Sequence, residues 1–210
     1  GGFGLIFTIL SVTFLINAFN YSDGLDGLIT SQTIFILLSL VFFHFYHYKS
    51  LNHDLLYLII PLLLFLPFNY KLFIFPKIFL GNGGSSMLGF IISFIFIYYG
   101  YYADLNIDPE LLIWILSFIV FEFTSTNLSR LTRNNLLFKP GHDHIHYIFL
   151  KKFKSALKVN FIIFLINLIF LTIGFFSFLL GDTYSLASFI LMFFVYFFFR
   201  ERLLKISKKN

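Results

Sequence analysis

The stretch VNFIIFLINLIFLTIGFFSFLL, residues 159–180, contains no Asp, Glu, Lys or Arg. As a helix it would rise about 33 Å at ~1.5 Å per residue. That is enough to cross a hydrocarbon core about 30 Å thick. Six further stretches read the same way: Phe3–Phe19, Leu28–Tyr46, Leu55–Phe68, Ser85–Tyr102, Glu110–Leu128 and Ser185–Phe199. The third of these is short and carries Pro61 and Pro67. It is expected as a kinked or tilted span whose freed carbonyls are satisfied by neighbouring helices.

The remaining composition agrees with this reading. Hydrophobic residues make up 59% of the 210-residue chain and charged residues 12%, against roughly 25% charged in soluble domains. Phe alone occurs 34 times, and the mean hydropathy is +0.87. So few charges cannot cover a water-facing surface. A disulfide scaffold, coiled coil, disordered chain or nucleic-acid-binding domain fits poorly, and no nucleic-acid partner is expected. Cys is absent, which excludes thiolate metal sites and Cys nucleophiles. The expected fold is all-α, a polytopic transmembrane helix bundle with about seven spans, lying in the lipid bilayer as one domain over 1–210. The chain starts Gly-Gly without Met, and a fragment lacking its N-terminal part is expected.

Charge sets the orientation. If the loop after the first span faces the cytoplasm, so does every second loop. All 15 Lys and Arg except Lys49 then fall on that face, Lys71, Lys77, Arg130, Arg133 and Arg200 among them. The opposite loops carry Asp54, Asp104, Asp108, Glu110 and Asp182. The positive-inside rule accordingly predicts a multi-pass inner-membrane protein with this face cytoplasmic.

Three polar islands interrupt the apolar sequence, all in loops assigned to that face. The first is Asn17-Ala-Phe-Asn20-Tyr-Ser-Asp23-Gly-Leu-Asp26-Gly-Leu28. Its i, i+3 spacing would place Asn20, Asp23 and Asp26 in one row on a helix. Carboxylates and amide carbonyls suit a hard cation such as Mg²⁺. The same residues would also serve as a cap and turn between two spans. The second is Phe79-Leu-Gly81-Asn82-Gly83-Gly84-Ser85-Ser86. It is a Gly-rich entry to a helix whose N–H groups and dipole favour phosphate. The third is Lys139-Pro-Gly-His142-Asp143-His144-Ile-His146-Tyr147. Among Arg130, Arg133 and Lys151, these His residues favour phosphate contact over metal ligation. Glu122, inside the fifth span, is an intramembrane acid and a functional candidate. It could reach water or pair with Arg130.

Together and in this order, the islands resemble the motifs of the polyprenyl-phosphate N-acetylhexosamine-1-phosphate transferases, glycosyltransferase family 4. The first is similar to Asn-x-x-Asp-Gly-x-Asp-Gly, the second to Phe-x-Gly-Asp-x-Gly-Ser and the third to a His-x-His-His loop. The resemblance covers essentially the whole chain. It implies a bundle of about ten or eleven helices, so three or four would be missing here. The family's upstream Asp-Asp motif is absent from this sequence. His144-Ile-His146 is closer to the UDP-GlcNAc:undecaprenyl-phosphate subgroup than to the phospho-MurNAc-pentapeptide transferases, although Tyr147 stands where that subgroup has its last His.

The resemblance further implies transfer of a phospho-N-acetylhexosamine from a UDP-N-acetylhexosamine to undecaprenyl phosphate, with release of UMP and a need for Mg²⁺. It places Asn20 and Asn82 at the metal, Asp23 beside the diphosphate and Asp26 at the uracil. Phe79 would stack on the uracil, Asn69 would contact the uridine and Gly81 the substrate. His144 and His146, helped by Arg130, would hold phosphate or sugar oxygens. The family usually has Asp where this chain has Asn82, and a non-catalytic homologue is one alternative. The resemblance also leaves room for a homodimer. A transporter would put its polar residues near mid-membrane. A CDP-alcohol phosphatidyltransferase would need Ala-Arg where Leu25-Asp26 stands.

Overall fold

The computed structural model describes residues 2–72, 74–101, 108–133, 141 and 143–207. Asp104, Lys139, His142, Lys208 and Lys209 of the sequence argument lie outside the described residues. Every regular element among the described residues is an α-helix. They are α1 (Gly2–Ser22), α2 (Leu28–Tyr48), α3 (His53–Asn69), α4 (Gly81–Tyr101), α5 (Pro109–Ile115), α6 (Ser117–Thr132), α7 (Ile145–Phe153), α8 (Ala156–Leu179) and α9 (Asp182–Ser207). The protein is an all-α, multi-pass membrane protein.

Each expected span coincides with a helix or a helix pair. Five helices (α1, α2, α4, α8 and α9) are long and apolar enough to cross a membrane. α5 and α6 qualify together as a sixth, broken by Leu116 and bent by 68°. Neither Pro nor Gly stands at that break. α3 has 17 residues and both Pro61 and Pro67 inside it. At ~1.5 Å per residue it is about 25 Å long, shorter than a full hydrocarbon core. Asn52 caps it by accepting from the Leu55 N–H at 3.1 Å, a typical N-cap bond.

The chain divides into two compact units, Gly1–Leu112 and Ile113–Asn210. In the first, α1 packs along α4 and α2 along α3. α2 is the most enclosed of the five single-helix spans. Gly89 sets how close α1 and α4 come: a Cβ there would lie 2.9 Å from the Ile16 Cα and 3.1 Å from the Leu15 carbonyl oxygen. With no hydrophobic drive between helices in lipid, such close backbone contact supplies the packing energy. The outward side chains of these helices, such as Phe7, Leu10, Leu64, Phe90 and Phe94, are large, apolar and exposed. That is the surface a bilayer solvates.

In the second unit α6, α7, α8 and α9 pack on one another. Its core is aromatic. Phe121 meets Phe170 at 5.3 Å and Phe189 at 4.7 Å between ring centroids. Trp114 sets its indole edge-on to Phe189 and donates from Nε1 to the Ser185 Oγ at 3.0 Å. Gly174 of α8 lies directly under that indole. α7 was not among the expected spans. It is a short amphipathic helix that buries Ile145, His146, Ile148 and Phe149 and leaves Lys151 and Lys152 exposed.

Candidate functional site

The first two polar islands meet in the first unit. Asn20 ends α1 and reaches the N-terminal turn of α4. Its Nδ2 donates to the Asn82 carbonyl at 3.2 Å, the Ser85 Oγ at 3.2 Å and the Ser86 Oγ at 3.3 Å. Ser85 is fully buried and also hydrogen-bonds Asp23. Asp23, half-buried, is pushed up to about 6 by burial, with the negative charge of Asp26 adding to the rise and the Ser85 hydroxyl opposing it. Asn82 joins this corner through its backbone oxygen, and its side chain is exposed.

Asp26 faces a different set of groups. Its Oδ2 accepts from the Lys77 Nζ at 2.8 Å. The same ammonium lies 4.6 Å from the centroid of the exposed Phe79 ring. Asn69 braces this arrangement. Its Oδ1 accepts from the Gly27 N–H, and its Nδ2 donates to the Ile78 carbonyl at 2.8 Å. Gly27 has φ +72° and lies against the Tyr70 ring, so a side chain there would be both strained and blocked. The turn carrying Asp26 and the extended segment carrying Lys77 and Phe79 are thereby tied to one buried amide. Gly81, φ +70°, opens α4 with no atom near its missing Cβ.

The described part of the His island lies in the second unit, and His144 and His146 are buried rather than solvent-facing. His144 is 3% exposed and His146 1%. Their rings stack at 5.3 Å, 9° from parallel. His144 precedes α7 and His146 sits in its first turn. Arg130 grips Asp143 through two bonds, Nε to Oδ2 at 2.9 Å and Nη2 to Oδ1 at 2.6 Å. Burial alone would raise the Asp143 carboxyl. The guanidinium bonds and charge of Arg130, with nearby His144, bring it down to about 2 instead.

Glu122 finds partners other than the expected Arg130. Its Oε1 accepts from the Ile145 N–H at 2.8 Å and lies 3.1 Å from the His144 Nδ1. Its Oε2 accepts from the Tyr196 hydroxyl and stands 3.5 Å from the Arg200 Nε. Sequence reasoning missed Tyr196 and Arg200. The signal was present as an i, i+4 polar pair at the end of an otherwise apolar helix. Lys77 was read only as a topology charge.

Of the polar groups in the first unit, the amide of Asn20, the carboxylate of Asp23 and the hydroxyl of Ser85 could hold a hard cation. They supply oxygen donors only, and Asp23 is a carboxylate disfavoured by burial, which a bound cation would reverse. Among the described residues no group of three or more His, Asp or Glu side chains is placed to hold a metal. This donor set fits Mg²⁺, which takes one or two carboxylates and completes its shell with water and substrate phosphate.

Residues 2–100 match the model of glycosyl transferase family 4. The resemblance carried by the motifs holds over that segment, just under half of the chain. Curated relatives extend it. The chain is 26% identical over 214 residues to the undecaprenyl-phosphate alpha-N-acetylglucosaminyl 1-phosphate transferase of Escherichia coli K12, covering 99% of this chain and 58% of that protein. It is 28% identical over 145 residues to the protein of the same name from Pasteurella multocida, covering 68% and 40%. For the Yersinia pestis protein of that name the figures are 27% over 154 residues, 72% and 42%. The chain thus spans at most about three fifths of the length of these relatives. No solved structure matches the chain. Over residues 2–100 the chain is similar to glycosyl transferase family 4, and the relatives it resembles over a longer stretch are named as phosphosugar transferases.

Proposed function

We propose that the protein transfers N-acetylglucosamine 1-phosphate from UDP-N-acetylglucosamine to undecaprenyl phosphate and releases UMP. The observation that carries this reading is the juxtaposition in the first unit of an acidic oxygen-donor corner (Asn20, Asp23, Ser85) with Asp26, Lys77 and Phe79. That layout suits a nucleotide diphosphate beside a hard cation, on a segment matching family 4. In the reaction, an oxygen of the lipid phosphate attacks the β-phosphorus of the sugar nucleotide. The bond from that phosphorus to the bridging oxygen breaks, and the oxygen leaves on UMP.

The protein's part is positioning and charge neutralisation, as in other phosphoryl transfers. Asp26 accepts from the uracil N–H and Phe79 stacks on the ring. Lys77 holds Asp26 in place, and Asn69 fixes the segment bearing Lys77 and Phe79. Gly81 lets the nucleotide approach the start of α4. Asp23, with Asn20 and the residue-82 position, would hold Mg²⁺. When bound, Mg²⁺ neutralises charge on the diphosphate. His144, His146 and Arg130 serve phosphate or sugar oxygens. The reading places the site on the cytoplasmic face of the inner membrane, in keeping with the distribution of Lys and Arg.

The test uses the protein at full length, reconstituted with undecaprenyl phosphate. UMP should appear from UDP-N-acetylglucosamine only when both the lipid phosphate and Mg²⁺ are present, and Asp23→Asn should abolish it. No UMP under those conditions would refute the reading.

A further inference from the structure

Glu122 is fully buried, as is Arg200, and His144 and Tyr196 are nearly so. A carboxylate in such a place must be paired and hydrogen-bonded. Here its two oxygens take different tasks. Oε2 takes the Tyr196 hydroxyl and faces the Arg200 guanidinium. Oε1 takes the Ile145 N–H and the His144 Nδ1. The Tyr196 hydroxyl, the Ile145 N–H and the Arg200 guanidinium are all donors, so both oxygens accept, and a carboxylate that accepts on both oxygens has no hydrogen to give. The hydrogen in the contact with His144 therefore resides on Nδ1.

We propose that Glu122 is a positioning residue for His144: it fixes the imidazole as the Nδ1–H tautomer and leaves Nε2 without a hydrogen, as an acceptor for a hydroxyl of the substrate's sugar. The inference rests on the transferase reading for what Nε2 meets. The tautomer itself follows from the geometry alone. An orienting carboxylate is a common companion of a working histidine because the two ring nitrogens are coupled: fixing one hydrogen bond decides what the other nitrogen can do.

Arg200 completes the device. Its Nη2 donates to the Thr126 Oγ1 at 2.8 Å and to the Asp143 carbonyl at 2.6 Å. It thereby pins the backbone just before His144, while Glu122 pins the backbone N–H just after it. Among the described residues, the charged groups around His144 belong to this arrangement. Glu122 comes from α6, Arg200 from α9, and Asp143 is held by Arg130. His146 stacks on the ring from α7. The C-terminal third of α9, with Arg200, and the middle of α6, with Glu122, are thus a frame for His144.

The test separates positioning from folding and from function. Removing Glu122 alone would leave the buried Arg200 with only Glu201 as an ionic partner among the described residues, so the informative variant is Glu122→Met with Arg200→Met, in which Glu201 keeps its pair with Arg133. Exchanging a whole buried ion pair for apolar side chains is commonly neutral for stability. Full-length wild type and double variant, labelled with ¹⁵N-histidine in lipid nanodiscs, are compared by imidazole ¹⁵N NMR, with His144→Gln to assign the signal. Wild type should show Nδ1–H at His144, and the double variant should lose that preference. An Nε2–H tautomer in wild type, or the same tautomer in both, would overturn the proposal. In turnover, kcat of the double variant should fall at least tenfold with the KM for UDP-N-acetylglucosamine within twofold. An unchanged kcat would equally overturn it. A wild type that releases no UMP would refute the transferase reading, while the NMR comparison still decides the tautomer.

Discussion

Asp26 shows how a single residue can matter for ligand and little for folding. Its ion pair with Lys77 is one-third exposed on both sides. Such pairs contribute ~0–1 kcal/mol, because water screens them and ordering long side chains opposes them. Asp26→Ala should therefore leave the thermal midpoint nearly unchanged. It should weaken UMP binding about tenfold, or ~1.4 kcal/mol, by removing the acceptor for the uracil N–H. Calorimetric titration of both proteins checks this, and equal affinities would take Asp26 out of the nucleotide site. Asp143 behaves differently. Its carboxyl lies at about 2 in the folded protein, against 3.8 as the reference value. A lowered folded value means the stabilisation is complete above the reference and is lost as pH falls through about 2. The stability gap between wild type and Asp143→Asn should be present at pH 5 and shrink steadily towards pH 2. A gap that does not change over that range would mean the Arg130–Asp143 contact carries no linkage.

At the scale of elements, the close crossing of α1 and α4 positions the corner where Asn20 meets Ser85. Gly89→Val would drive a side chain into the backbone of Ile16. Overpacking of this kind costs about 1–3 kcal/mol, and the detergent-unfolding midpoint should fall accordingly. Gly83→Ala is the control, since a Cβ there meets nothing within 4 Å, and its midpoint should stay at the wild-type value. Equal midpoints for the two variants would contradict the packing described. The helices themselves were legible in the sequence because a charge-free apolar run of some twenty residues has few alternatives to a span. The break at Leu116 was not, since no Pro or Gly announces it. α7 escaped notice because nine residues are too few to register beside spans of twenty or more. The partner of Glu122 was hidden for another reason. α9 is almost wholly apolar as far as Phe199, so only the Tyr196–Arg200 spacing marks its inward face, and Arg200 read as one more topology charge in a basic tail.

For the whole molecule, the order of the three islands pointed to a family, and the match over residues 2–100 spans the first two of them. What the order did not reveal is the physical setting of each island. His144 and His146, taken for loop residues facing phosphate, are core residues, His144 held by Glu122 of α6 and His146 stacked on it, so their substitution reaches packing as well as chemistry. Asn82, singled out for its side chain, enters its corner through a carbonyl that any residue would supply. These distinctions depend on which helices pack together, and periodicity in a uniformly apolar sequence leaves that open. The central claim, that sugar and phosphate move together onto the lipid, is tested most directly by following the phosphorus. Full-length protein in undecaprenyl-phosphate proteoliposomes is given UDP-N-acetylglucosamine carrying ³²P in its β-phosphate, and label is counted in lipid and water after extraction. The account predicts label in the lipid fraction and unlabelled UMP in water. Labelled UDP in water, with the sugar alone moved, would contradict it.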